Sequence, residues 1–123
     1  MPTPTGSAAG QPPARQRPLI EVLTVRDCPH RDAAIALARR VREQLGSAAE
    51  LRVVDVADQP AAEQVGFLGS PTIRVDGRDI EPGAERLQEY VHACRLYRVG
   101  HSLRPLPEED WLRRALRTAE ARP

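Results

Sequence analysis

The run Leu19-Ile20-Glu21-Val22-Leu23-Thr24-Val25, followed by Arg26-Asp27-Cys28-Pro29-His30-Arg31 and a second run to Leu45, decides the fold. Its first part is apolar and rich in β-branched residues with one acid among them, as a strand buried on both faces reads. Past Arg31 the period changes. Ala34, Leu37, Ala38, Val41 and Leu45 recur at helical spacing and make one continuous stripe, and Gly46 stands where a helix ends. Strand, tight turn and helix therefore follow one another, with Cys28 at the junction. The spacing predicts Cys28 at or next to the N-cap and Pro29 in the first helical position, where its missing N–H costs nothing.

A cysteine so placed has two readings. The N–H groups of His30 and Arg31 would point at its sulfur, and a helix start favours negative charge, so the reactive thiolate is promoted. Arg31 and a protonated His30 act in the same sense, while Asp27 opposes them. The other reading is an ordinary buried cysteine that happens to precede a helix.

Working outward, Leu51 to Val56 reads as a second strand. Asp58 can cap a short helix that begins near Pro60, runs through Ala61, Ala62 and Val65, and stops at Gly66. Phe67-Leu68-Gly69-Ser70-Pro71-Thr72 leads into a third strand, Thr72 to Val75, and Asp76-Gly77 signals a hairpin that returns Arg78-Asp79-Ile80 antiparallel to it. Ala84 to Ala93 reads as a helix with Leu87, Tyr90 and Val91 on one face. Cys94 to Val99 is an edge strand or an extended loop, and Gly100 to Leu106 is irregular. A last helix starts at Pro107, with Trp111, Leu112, Ala115, Leu116 and Ala119 as its stripe.

A βαβ unit followed by a ββα unit predicts an α/β domain: a mixed four-stranded sheet with helices on both faces and an insertion before the last helix. The expected order is hairpin strand, third, first, second, with the first and third strands parallel.

The 123 residues suit one domain over 19–121, preceded by a Pro-, Gly- and Ser-rich tail over 1–18 with no period, read as disordered. Every cationic side chain is an arginine, yet the net charge is only +1 and the charges are interspersed, which argues against nucleic acid as partner. Aromatic residues at 3% leave no stacking platform for bases. No run is apolar enough to cross a membrane, and no secretory signal opens the chain, so the expected compartment is the cytoplasm. There a cysteine pair, Cys28 and Cys94, is expected to be reduced, catalytic or metal-binding rather than a structural disulfide. His30, His92 and His101 show no zinc spacing, and neither a metal site nor a cofactor is expected.

Cys-Pro after the first strand, Gly69-Ser70-Pro71-Thr72 opening the third and Asp76-Gly77 closing the hairpin together resemble the thioredoxin-like superfamily. Within it the chain is similar to small bacterial thioredoxin-family proteins with a Cys-Pro start, a Gly-Ser-Pro-Thr loop, a later Cys-Arg-x-Tyr segment (here Cys94 to Tyr97) and a Pro-x-x-x-x-Leu-x-x-x-Leu helix (here Pro107 to Leu116). Such proteins are sometimes labelled as associated with alkylmercury lyases.

The resemblance implies thiol–disulfide exchange with Cys28 as nucleophile, stabilised as thiolate by Pro29, His30 and Arg31. It implies that Pro71 is a cis-proline whose loop faces Cys28. Ser70 and Thr72 would then contact an incoming protein disulfide or low-molecular-weight thiol, with the backbone of Ser70 free to pair with it. One departure matters. The position of the second cysteine in a Cys-x-x-Cys motif is Arg31, so the usual resolving thiol is missing. Three expectations follow: Cys28 works alone with a small thiol, Cys94 resolves it, or the fold binds without redox turnover. Cys94 itself reads either as that partner or as a core or loop cysteine. A pair of thiolates holding a soft ion such as Hg²⁺ or Cu⁺ is a further alternative.

Overall fold

The computed structural model describes residues 17–121, so all but the last two residues of the expected N-terminal tail lie outside the described residues. The chain runs β1 (Leu19–Thr24), α1 (Arg31–Gln44), β2 (Glu50–Asp55), α2 (Gln59–Val65), β3 (Thr72–Val75), β4 (Arg78–Asp79), a 3₁₀ turn (Ala84–Arg86), β5 (Tyr97–Val99), β6 (Ser102–Arg104) and α3 (Glu109–Glu120). Pro18 already belongs to the sheet, since its carbonyl accepts the N–H of Glu50 at 2.9 Å.

β1 to β4 form a mixed sheet in the order β2-β1-β3-β4. β1 and β2 are parallel, Val22 opposite Val53. β3 is antiparallel to β1, Val22 opposite Ile73, which corrects the expected parallel pairing. The reason lies in length. α2 has seven residues, about 10 Å of helix. It cannot carry the chain back along the six residues of β2, which span about 20 Å. The chain therefore re-enters the sheet at the end where β2 finished, and β3 runs the opposite way.

Local signals set the boundaries. Asp58 Oδ1 accepts the Ala61 N–H at 2.9 Å and caps α2. After α1, Gly46 is left-handed (φ 59°) and closes a Schellman motif, Gly46 N–H to the Glu43 carbonyl and Ser47 N–H to that of Arg42. Asp76 and Gly77 both have positive φ, 50° and 84°, as the hairpin turn requires. Asp76 also accepts the N–H of Leu19 and donates its own to the Leu19 carbonyl, tying the hairpin to the start of β1.

The two faces of β1 divide the core. Ile20 and Val22, with Ile73 and Val75 of β3, pack under α1 and α3 through Ala34, Leu37, Ala38, Val41, Leu112 and Leu116. Leu23 and Val25 face the other way and pack with Cys28, Val56, Ala62 and Phe67 under α2. Helices thus cover both faces.

Two expectations after the hairpin are corrected. Ala84 to Ala93 is not a helix: a single 3₁₀ turn ends at Arg86 and no helical turn follows it up to Ala93. Gly100 to Leu106 is not irregular throughout, because Ser102–Arg104 pairs antiparallel with Tyr97–Val99 as a small separate hairpin.

Candidate functional site

Cys28 sits between two consecutive turns. Its N–H donates to the Val25 carbonyl at 3.2 Å, and its own carbonyl accepts the N–H of Arg31 at 3.2 Å. Asp27, at φ 60°, supplies the left-handed residue of the first turn. Pro29 lies in the second, where a fixed φ suits the position after Cys28. The helix therefore begins at Arg31 with His30 as its N-cap, and His30 makes no side-chain cap. This corrects the expectation that Cys28 lies at or next to the N-cap and that Pro29 opens the helix. The Arg31 N–H meets the Cys28 carbonyl, and the Arg31 guanidinium pairs with Asp32 at 3.3 Å. Pro29 and Arg31 are exposed and His30 is half-buried. Cys28 itself is 8% exposed and packs among Leu23, Val25, Val56, Ala62 and Phe67.

The Gly69–Thr72 loop adjoins the end of β1. The Ser70–Pro71 bond is cis, as the resemblance implied. Ser70, Pro71 and Thr72 are all buried. The Ser70 hydroxyl accepts the N–H of Val25 at 3.1 Å, three residues ahead of Cys28. The Thr72 hydroxyl donates to the Gly69 carbonyl at 2.6 Å. These side chains are engaged within the chain.

So is the backbone of Ser70, which the resemblance left free for a ligand. Its N–H donates to the Ala93 carbonyl at 2.8 Å, and its carbonyl accepts the Arg95 N–H at 2.9 Å. Ser70 and Cys94 are thus bridged as parallel neighbours. The preceding residues continue the contact. Val91 donates to the Phe67 carbonyl at 3.0 Å, and the Gln59 side chain spans the Tyr90 carbonyl and the His92 N–H at 2.8 and 2.9 Å. His92 Nε2 donates to the Val56 carbonyl at 3.0 Å, so this histidine is held rather than free at the surface. These bonds explain why 87–95 is not helical. Its backbone groups are used against α2 and the proline loop, and a helix would withdraw them.

Arg95 anchors this strap. Its side chain is 5% exposed and forks onto Asp79 at 2.7 and 3.2 Å, onto Glu81 at 2.7 Å and onto the Thr72 hydroxyl at 2.8 Å. Its guanidinium carbon lies 4.2 Å from the centre of the Tyr97 ring. Tyr97, fully buried, donates its hydroxyl to the Pro71 carbonyl at 2.5 Å. Burial works against the Arg95 charge, but the hydrogen bond to Asp79 and the surrounding charges leave its pKa above the ordinary guanidinium value. Burial pushes the Tyr97 hydroxyl well above the ordinary phenol range, opposed in part by Arg95. Gly69 makes the close approach possible: a Cβ there would stand 2.8 Å from the Arg95 Cβ.

Of the residues expected at a site, Cys28, Ser70, Pro71, Thr72 and Cys94 converge on the end of the sheet where β1 and β2 finish and β3 starts. Both cysteines are free; Cys28 is buried and Cys94 exposed. Sequence reading assigned no role to Arg95, Asp79, Glu81 or Tyr97. The alternation in Cys94-Arg95-Leu96-Tyr97 was the available signal, and it is kept: Arg95 and Tyr97 point in, Cys94 and Leu96 out. Among the described residues no three His, Cys, Asp or Glu side chains gather as a metal site, and no helix is long and apolar enough to cross a membrane. Compared with known protein families the chain has no match, and among characterised proteins no significant sequence relative is found.

Proposed function

We propose that this chain is a thiol redox protein of thioredoxin-like fold that exchanges disulfides through Cys28 and Cys94. The observation that carries the reading is the parallel bridge between Ser70 and Cys94. Ser70 also holds Val25 through its hydroxyl, and Val25 holds the N–H of Cys28, so one residue links the backbones of both cysteines. The run β1-α1-β2-α2-β3-β4, closed by α3 after the intervening β5-β6 hairpin, the mixed sheet and the cis bond before Pro71 support the fold assignment. Cys94 then takes the part that Arg31, in the usual resolving position, cannot take. The partner is a protein disulfide or a low-molecular-weight thiol, and the setting is the reducing cytoplasm.

A second reading is favoured by the burial of Cys28 and the occupied backbone of Ser70: a module that keeps the fold and binds without turnover. Disulfide reduction with glutathione or a dithiol as donor separates the two. The wild type should turn over, and Cys28→Ser and Cys94→Ser should each lose multiple turnover. A wild type with no activity above the uncatalysed rate refutes the redox reading.

A further inference from the structure

Two rows of side chains on α3 carry its apolar character, and they are used unequally. Leu112 and Leu116 are fully buried in the core under the sheet. Trp111, Ala115 and Ala119, one turn apart on the neighbouring row, are only half-buried. Two of those three are alanines, too short to reach the hairpin, and a groove of about 250 Å³ runs between α3 and the β3–β4 hairpin, lined also by Val75, Ile80 and Pro82. The row spans eight residues of helix, about 12 Å. Pockets for drug-sized ligands hold about 300–1,000 Å³, so the groove suits a smaller body, narrow and apolar.

The charges at its rim are not balanced. Arg78 and Arg114 both line the groove and are exposed, and among the described residues neither pairs with a carboxylate. Arg113, the next residue of α3, is by contrast held by Glu109 and Asp110. Of the two acids in the lining, Asp79 has both oxygens on Arg95, and Asp76 has Oδ1 on the Leu19 N–H. Two guanidinium groups thus face one carboxylate not already neutralised by a cation. The chain's own N-terminal segment does not match this rim, since residues 1–16 contain Arg15 and no acid.

We infer that the groove between α3 and the β3–β4 hairpin binds a small acyl carboxylate, its apolar chain along Ala115 and Ala119 and its carboxylate on Arg78 and Arg114. Guanidinium groups suit this head, because their planar N–H forks match the two oxygens of a carboxylate. The apolar lining supplies the attraction for the chain and the arginines select its charge. Neither cysteine takes part, so the inference stands apart from the redox reading.

Titration of the full chain with octanoate tests it, read by fluorescence of Trp111, the single tryptophan of the chain. Octanoate should give a saturable change with a Kd of about 1 mM or tighter. Octanamide, the uncharged counterpart, should bind at least about tenfold more weakly. Arg78→Gln combined with Arg114→Gln should weaken octanoate at least about tenfold and leave octanamide within about twofold of its wild-type affinity. Ala115→Leu should abolish binding of both by filling the groove, with a thermal melt to check that the variant is folded. Should that variant unfold, the arginine pair still decides, because both side chains are exposed and unpaired with acid among the described residues. No saturable change up to about 10 mM octanoate overturns the proposal. So does octanamide binding as tightly as octanoate, an arginine double variant with wild-type affinity, or a folded Ala115→Leu that still binds. If Trp111 emission shifts on replacing Pro12 and Pro13 with glycine while octanoate fails to bind, the groove belongs to the N-terminal segment and the proposal falls.

Discussion

Replacing Arg95 with methionine should cost the domain about 3–5 kcal/mol, the range for breaking a buried ion pair. Arg95 makes four side-chain hydrogen bonds, two to Asp79 and one each to Glu81 and Thr72. Taken singly at about 1.5–3 kcal/mol for bonds to charged groups, they would sum to about 6–12 kcal/mol. That sum is too large, because the bonds share one group, and because Asp79 and Glu81 are 12% and 20% exposed and can be rehydrated. Against a total of about 5–15 kcal/mol for a domain, the loss leaves the variant marginal. Urea unfolding followed by Trp111 fluorescence reads it, since Trp111 lies 6.1 Å from the Tyr97 ring. With a slope of about 1.5 kcal/mol per M, the midpoint should fall by about 2–3 M. Amide exchange at Ser70 and Arg95 should accelerate with it, as the strap lifts. The cost comes from stranded carboxylates, so adding Asp79→Asn and Glu81→Gln should recover about half of it or more. A loss under about 1 kcal/mol, or a triple variant no more stable than the single one, would refute the reasoning.

Ser70→Ala removes the acceptor of the buried Val25 N–H and should cost about 1–3 kcal/mol in the same unfolding assay; no loss would mean that N–H finds another partner. Tyr97→Phe strips the Pro71 carbonyl of its donor at a similar cost, and it should also change the alkaline limb of the stability profile. The folded pKa of Tyr97 is raised, so its contribution is full below the ordinary value of about 10 and is lost as pH climbs above it. Melting temperatures of the wild type should therefore decline above about pH 10 more steeply than those of Tyr97→Phe, and parallel curves would contradict the burial of this hydroxyl. Gly69→Ala, at φ 120° and facing Arg95, should cost at least about 2 kcal/mol; a stable variant with intact Ser70 amide protection would show that the strap can shift.

The features legible in the chain were those that rest on neighbours in sequence. Asp58 and Gly66 bound α2, Gly46 ends α1 and Asp76-Gly77 turns the hairpin, each through a bond or a φ angle within a few residues. The stripes of α1 and α3 reached the core as their periods required. The cis bond before Pro71 is of another kind. Only about 5–6% of X–Pro bonds are cis, so the residues alone argued for trans and the resemblance for cis.

Direction and burial were decided by tertiary structure. The hydrophobic pattern of Thr72 to Val75 is the same for a parallel and an antiparallel strand; the short reach of α2 chose between them. Leu87, Tyr90 and Val91 have helical spacing, yet the segment is not helical, because Gln59, Phe67 and Ser70 offer its backbone partners that lie 23 to 33 positions away in the chain, on the order of a loop closure rather than a local turn. Arg95 reads as one more exposed arginine among the 18 in the chain. Only the arrival of Asp79 and Glu81 from the hairpin makes its burial affordable, and a burial that depends on distant partners leaves no periodic trace in sequence. The sequence by itself determined the four strands of the main sheet, the stops of the first two helices and the presence of two cysteines; the fold alone decided which of the two is buried, because that depends on which chain covers the other.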